Sequence, residues 1–422
     1  MFKLPRPHKV IFDSGATLLY QRNPFSPTIA FGVWITRGSR DENDTERGLS
    51  HFLEHMVFRG TKKRNALQTA LALESIGGQW DAFTSKESAA YHAKVLDEHF
   101  GTLVHVFSDI LLHPSLDEDT FYLERKVVQE EIRSVKDSPE ESVHELFFET
   151  LFQGHPLGHP VTGYYRDVSR YSRGDLLTFH RKTYTSENTL IGFVGNIPVH
   201  KVTSILERSF RFPRKRSVSR SPITEIKSGR VKSKRRSDWS QSHVCIGSRT
   251  VPASSPERYA VIILSNILGG GISSRLFQSL REQLGLVYSV FTHSSFWTDT
   301  GSLHTFFSVD PKNLPVAMEI FHKELSEIRA GKVRDEEIES AQAQVKGSVI
   351  FGMESVDARL FRLVQSECYH RRYVSPEEVV RAIEHVDRKK ITEVAQRYLA
   401  RDRLTYVSCG PVTLRGLRLS EA

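Results

Sequence analysis

The sequence predicts an α+β fold made twice over, two homologous domains that are each a mainly antiparallel sheet covered by helices. Three observations carry this. At 422 residues the chain is too long for one ordinary core and fits two domains of about 200 residues each. A basic stretch broken by Pro213, Pro222, Ser217, Ser219 and Ser221 divides it near the middle, as an exposed linker would. The segments on either side of that stretch echo each other.

Taken in order, Arg47-Gly48-Leu49-Ser50 reads as a turn and helix start. Leu49, Phe52, Leu53, Met56, Val57 and Phe58 then mark the face that a core would hold. Ser88 to Leu111 reads as strand, turn and long helix. An acidic helix follows over Glu124 to Val135, with Val127, Val128, Ile132 and Val135 as its buried side. Leu176 to Tyr184 is an amphipathic helix that leads into a buried strand over Thr189 to Asn196. After the linker the pattern returns. Gly301 to Leu325 is again strand, turn and helix, and Ile391 to Tyr398 leads to a strand over Leu404 to Gly410. The expected division is 1–210, a linker over 211–238, and 239–422.

Composition excludes several classes. The apolar and charged fractions, 39% and 26%, are those of a globular protein, and no apolar run is long enough for a membrane span. The start, Met1 to Pro7, has no apolar core of a secretion signal and no cleavage pattern, so a cytoplasmic location is expected, bacterial ahead of mitochondrial matrix. Cys245, Cys368 and Cys409 are widely spaced and read as reduced, buried thiols. The net charge of +8 would suggest an anionic partner, but its location points elsewhere. Between Arg208 and Arg236 there are 12 Lys or Arg against the single Glu225, which leaves the rest of the chain slightly acidic. The basicity belongs to the linker, no groove-reading or aromatic-rich motif accompanies it, and nucleic acid is not an expected partner.

The chemistry concentrates in His51-Phe-Leu-Glu54-His55. Positions four apart on a helix lie one turn above each other, so His51 and His55 can grip one metal ion while Glu54 leans toward the attacking water. H-x-x-E-H arises by chance in about 6 of 100 chains of this His and Glu content, so the motif alone leaves open a solvated helix with two ordinary histidines. A catalytic zinc ion takes three protein ligands, and the third must come from elsewhere. Glu131 and Glu124, seven apart on one face of the acidic helix, are the preferred ligand and its support, while Glu130 points away. An acidic face paired with Arg125 and Lys126 is the competing reading of that helix.

His51-Phe-Leu-Glu-His-Met-Val-Phe-Arg-Gly-Thr61 resembles the signature of the inverzincins, the pitrilysin or insulinase-like zinc peptidases, and is most similar to their mitochondrial-processing-peptidase branch. The resemblance implies Glu131 as third ligand, Glu124 two turns earlier as its support, and one Zn2+ per chain. Gly77 to Ser85 is similar to the family's edge strand, implying that Ala82, Phe83 and Thr84 pair with the substrate backbone. Asp81 departs from the Asn common there. Gly269 to Phe277, with Leu280-Arg281 through Tyr288, resembles the second-half motif, which implies Arg281 and Tyr288 as contacts to the peptide, Tyr288 also stabilising the oxyanion. Glu141 and Glu145 fall where processing peptidases receive an Arg before the cleavage site; an exposed acidic face is the alternative.

The region of the second half expected to match His51 to His55, Ser273 to Phe277, offers neither His nor Glu. One site per chain is therefore expected. By resemblance, the two domains form half of a clamshell chamber, completed by a second copy or by a related inactive subunit, with the homodimer preferred. The function expected is zinc-dependent endopeptidase action on extended or presequence-like peptides, with Glu54, Glu124 and Tyr288 assisting the chemistry. The alternatives are a non-catalytic scaffold or core-type subunit of a processing complex, and a zinc-dependent protein that presents peptides without cutting them.

Overall fold

Strand β3 (Thr28–Ile35) shows how each half is layered. Its odd-numbered residues Ile29, Phe31, Val33 and Ile35 enter one core and its even-numbered Ala30 and Trp34 enter another, so both faces of the strand are covered. The computed structural model describes residues 5–215, 220–223 and 229–414. In the first half of the sequence, β1 (His8–Ile11), β2 (Thr17–Arg22) and β3 are followed by helices α1 (Leu49–Val57) and α2 (Ala66–Glu74) and by the hairpin β4 (Gln79–Thr84) and β5 (Ala89–Leu96). Next come α3 (Phe100–Leu112), α4 (Glu118–Asp137), α5 (Pro139–Leu151), α6 (Tyr165–Val168), α7 (Arg173–Thr183), β6 (Thr189–Gly195) and α8 (Val199–Ser209). The second half holds β7 (Val231–Arg235), β8 (Ser242–Thr250), α9 (Arg258–Gly269), a π-helical turn over Phe277–Glu282, β9 (Val287–Phe296) and β10 (Gly301–Val309). It ends with α10 (Leu314–Arg329), α11 (Asp335–Phe351), α12 (Val356–His370), α13 (Pro376–Glu384), α14 (Arg388–Tyr398) and β11 (Thr405–Gly410).

The two sheets share one topology. The 6-stranded sheet runs β1-β2-β6-β3-β5-β4 and the 5-stranded sheet β7-β11-β8-β10-β9. In each, the closing strand lies parallel to the first strand of its repeat, β6 on β2 and β11 on β7, and every other pair is antiparallel. The expected α+β duplication is therefore present strand for strand, with β1 as an addition to the first copy. By the same order the counterpart of α1 is α9, not residues 273–277 as expected, because the helix comes directly after the second strand of the repeat. Arg258–Gly269 contains no His, Glu, Asp or Cys, so the second copy still lacks the motif.

The compact units do not coincide with the two halves of the sequence. The first comprises Met1–Ser134, His159–Ser221 and Gly352–Tyr373, and the second Val135–Gly158, Pro222–Phe351 and Val374–Ala422. Helix α12, from the second repeat, lies on β3 and β6, where Val356, Leu360, Leu363 and Val364 bury against Ala30, Trp34 and Val194. Helix α5, from the first repeat, lies on β8 and β11, with Val143, Phe147 and Leu151 against Phe306 and Val407. Equivalent helices of the two repeats have been exchanged.

The basic segment is more structured than a linker. Residues 231–235 form strand β7, and the Arg220 guanidinium donates to Asp41 at 2.9 Å and to the carbonyls of Thr36 and Glu87. Residues 216–219 and 224–228 of the expected linker lie outside the described residues.

Candidate metal centre

Helix α1 starts from a left-handed residue, Gly48, with φ of 87°. A Cβ there would come within 2.7 Å of the Thr162 carbonyl oxygen and 2.9 Å of Gly163 Cα, so the tight entry is reserved for glycine on both conformational and steric grounds. Two of the free N–H groups at this helix start donate to one buried carboxylate, Gly48 to Glu42 at 2.8 Å and Ser50 to Glu42 at 2.7 Å. Burial pushes the Glu42 carboxyl up to about 8, against the lowering effect of those two bonds. The apolar face anticipated for α1 is in place, with Leu49, Phe52, Leu53, Met56 and Val57 all buried, so the opposite side of the helix is held at a set angle.

That side carries His51 and His55, whose ring centroids are 4.6 Å apart. Both meet Glu131 from α4: His51 Nε2 is 3.5 Å from one carboxylate oxygen and His55 Nε2 is 3.5 Å from the other. The candidate ligand atoms of the three residues lie within 4.8 Å of one another. Tetrahedral donors at ~2.0–2.2 Å from one zinc ion stand ~3.3–3.6 Å apart, so the 3.5 Å separations between Glu131 and the two rings fit that ion.

Around these three stands a supporting ring. Glu124, one face-repeat earlier on α4 and only 3% exposed, accepts from His55 Nδ1 at 2.8 Å. That bond leaves Nε2 of His55 directed at the centre, the arrangement by which a carboxylate sets the tautomer of a metal-binding imidazole. Arg59 holds the other oxygen of Glu124 at 2.6 Å. Burial would raise the Glu124 carboxyl, but the hydrogen bonds from His55 and Arg59 outweigh it and keep the group below the ordinary range. Glu131 is likewise lowered, first by its contact with His51. Burial alone would lower His55; the bond to Glu124 and the charges of Glu124, Glu131 and Glu54 outweigh it and hold that imidazole above its usual range.

Glu54, half-buried beside His55, accepts from the Thr84 hydroxyl at 2.5 Å. Thr84 ends β4, the edge of the 6-stranded sheet, so the carboxylate stands beside a strand paired on one side only, with β5. Ala82 and Trp80 face the α1 side and Phe83 faces α12, where it stacks on Phe361. Asp81 is exposed and its carboxylate accepts from the N–H of Ala82.

One expectation for α4 needs correction. Its buried line is Phe121, Glu124, Val128 and Ile132, whereas Val127 is 47% exposed and Leu123 64% exposed. The helix is turned so that Glu124 and Glu131 face the two histidines, and the apolar Leu123 and Val127 are given to solvent. Glu130 points away, paired with Arg133, as its quarter-turn offset requires.

A family model for the insulinase group, peptidase family M16, matches residues 17–164, and one for the M16 peptidase inactive domain matches residues 170–345. An uncharacterized zinc protease of Bacillus subtilis, YmxG, is 31% identical over 92% of this chain and 95% of its own. The chain belongs to the insulinase-like peptidase family M16. A second relative, an uncharacterized zinc protease of Mycobacterium leprae, is 33% identical over 93% of this chain and 89% of its own. The M16 fold is also that of a protease from Helicobacter pylori, with a TM-score of 0.90 at 22% identity, covering 97% of this chain and 100% of that one. A peptidase M16 inactive domain from Pseudomonas fluorescens gives 0.88 at 18% identity, covering 96% and 98%. The region matched by the insulinase-group model contains all the residues gathered around His51 and His55.

The other residues expected to contact substrate, Arg281, Tyr288, Glu141 and Glu145, lie in the second unit. Arg281 is on the π-helical turn, its guanidinium 5.2 Å from the Tyr288 ring centre and 4.8 Å from that of Phe277. Tyr288 is 77% exposed, not a core tyrosine. On α5, Glu141 is exposed and Glu145 half-buried. No helix among the described residues is long and apolar enough to cross a membrane. Sequence reasoning missed Arg59 and Glu42 as supports and the Thr84 hydroxyl as the partner of Glu54; all three act through contacts between segments that spacing along the chain does not relate.

Proposed function

We propose that this protein is a zinc-dependent endopeptidase that cuts extended, unfolded segments. The observation that carries the reading is the convergence of His51 Nε2, His55 Nε2 and the Glu131 carboxylate, with Glu54 beside them on the same helix. Zinc relatives of similar length support it. When bound, the ion supplies Lewis acidity, polarising the scissile carbonyl and bringing the pKa of a water from ~15.7 toward ~7.

The chain's own residues do the rest. Glu54 takes the proton of the attacking water and delivers it to the leaving nitrogen, and the Thr84 hydroxyl keeps that carboxylate turned toward the edge strand. The substrate adds to β4 as a further strand, so its backbone is read by Ala82, Phe83 and Thr84 whatever its sequence. Folded domains cannot present such a strand and are excluded. Arg281 is assigned to the peptide backbone and Tyr288 to the oxyanion; Tyr288 is exposed, as a group that meets substrate must be. Glu141 and Glu145 favour Arg near the scissile bond, and a second copy of the chain completes the enclosure.

The test is zinc content measured together with cleavage of an unfolded peptide. Glu54→Gln keeps one zinc per chain and loses about 100- to 10,000-fold in turnover, the contribution of general base catalysis. Normal turnover in that variant removes Glu54 as base, and a wild-type protein that holds zinc but leaves peptides intact points to the non-catalytic scaffold. Paired peptides that differ only in the Arg test the acidic pocket, and equal cleavage removes it.

A further inference from the structure

The face of the second sheet beneath α5 gathers an unusual set of groups. His144 of α5, Cys245 of β8 and His304 of β10 place a ring nitrogen each and the thiol sulfur within 4.8 Å of one another. Their convergence follows from the register. Cys245 pairs with Phe306, and His304 with Gly247, so both side chains project from one face of the sheet. Gly247 makes room, since a Cβ there would come within 2.6 Å of His304 Cβ. Helix α5 then lowers His144 onto them, its ring 5.4 Å from that of His304.

Nothing in the zinc chemistry of the first unit uses these residues. Packing alone explains them incompletely: His304 is 4% exposed and its Nδ1 has no hydrogen-bond partner among the described residues, a state that costs about 1–3 kcal/mol where it persists. Rings of Phe147, Phe148 and His293 close around it without a donor or acceptor for that atom.

We infer that His144, Cys245 and His304 form a second cation site, built for a soft monovalent ion of the cuprous class. Two imidazoles and one thiolate are the donors such an ion favours. Charge selects the monovalent ion over zinc. The set contains no carboxylate. A cuprous ion with the Cys245 thiolate is neutral, whereas a divalent ion would leave one uncompensated positive charge among Phe147, Phe148, Phe291 and Phe306. Binding releases the Cys245 thiol proton to solvent as the sulfur–metal bond forms, with no change of oxidation state. His144, half-buried, is the side from which an ion enters.

The experiment titrates Cu(I) anaerobically, in ascorbate, into metal-free full-length protein against a Cu(I)-specific chelator, reading bound copper by mass spectrometry and the sulfur-to-copper band in the ultraviolet. The expected result is one equivalent with the sulfur band, retained in a His51→Ala/His55→Ala variant that lacks both imidazoles of the other site. Cys245→Ala removes the band and weakens binding by more than about 100-fold, beyond what loss of a supporting contact costs. His144→Gln, on the accessible side, serves if Cys245→Ala does not fold, with near-ultraviolet circular dichroism as the check. Absence of that equivalent in the wild type, or its survival in folded Cys245→Ala or His144→Gln, overturns the site. A second equivalent of zinc in place of copper overturns the charge argument.

Discussion

Arg59 shows how a centre of this kind depends on residues that never reach the metal. It holds one oxygen of Glu124 while His55 Nδ1 holds the other, so the carboxylate cannot rotate away from the imidazole it orients. Arg59→Ala is expected to lower kcat and zinc affinity by about 10- to 100-fold, the usual effect of losing such support, with Arg59→Lys recovering only part because a lysine ammonium does not reproduce the directed N–H of Arg59 Nε. Zinc dialysis and kcat measured on the same preparations check this; unchanged zinc affinity in Arg59→Ala would show that His55 and Glu124 hold each other unaided. Thr84→Val removes the hydroxyl that donates to Glu54 and should reduce kcat while leaving zinc content untouched, which separates the base from the ligands. At this scale the grouping of the candidate ligands was legible in part, because helical spacing relates His51 to His55 and places Glu131 on one face with Glu124. Arg59 and Thr84 were not, since their partners lie on other elements and the residue types say nothing about which carboxylate each will meet.

Among the elements, α1 is the one whose geometry the centre can least tolerate losing. Gly48→Ala forces a Cβ toward the Thr162 carbonyl from a backbone at φ of 87°, and is expected to cost about 1–3 kcal/mol and to loosen zinc with it. Thermal melts with and without zinc check both halves of that expectation; a melting temperature unchanged in each condition would mean that the entry to α1 rearranges freely. The orientation of α4 was only partly legible. Counting apolar positions put Val127 inside, yet the side that packs is the one carrying Glu124, and a buried carboxylate is not a signal that periodicity can register. In the second unit, Arg275 binds Glu337 of α11 through two nitrogens at 2.8 and 2.9 Å. Burial would raise Glu337, but Arg275 and the N–H of Arg334 outweigh it and hold the group at about 2 instead of 4.5. A depressed carboxyl stabilises the fold above its unfolded value and loses that contribution as pH falls toward the folded one. Stability is therefore expected to decline between pH 4.5 and about 2, and Glu337→Gln to flatten that part of the profile in melts taken across it.

For the molecule as a whole, the exchange of α5 and α12 decides what can fold alone. The echo between the two halves was legible in the sequence, because like elements recur in like order. Which sheet each helix covers was not, since an amphipathic helix fits the apolar face of either copy and only the path of the chain selects one. The consequence is energetic. Val356, Leu360, Leu363 and Val364 of α12 are nearly fully buried on β3 and β6, at about 1.5–3 kcal/mol each. Their sum is comparable with the whole stability of a typical domain, about 5–15 kcal/mol. Residues 1–210 expressed by themselves would leave Ala30, Trp34, Leu190 and Val194 facing water, and are expected to be insoluble or to melt without a cooperative transition. Fusing residues 352–373 to the end of that fragment supplies α12 and should restore a single transition and zinc binding, as the three candidate ligands His51, His55 and Glu131 all belong to the first unit. A fragment 1–210 that melts cooperatively and binds one zinc ion without α12 would show that the sheet is stable uncovered, and that the exchanged helix serves some purpose other than closing its core.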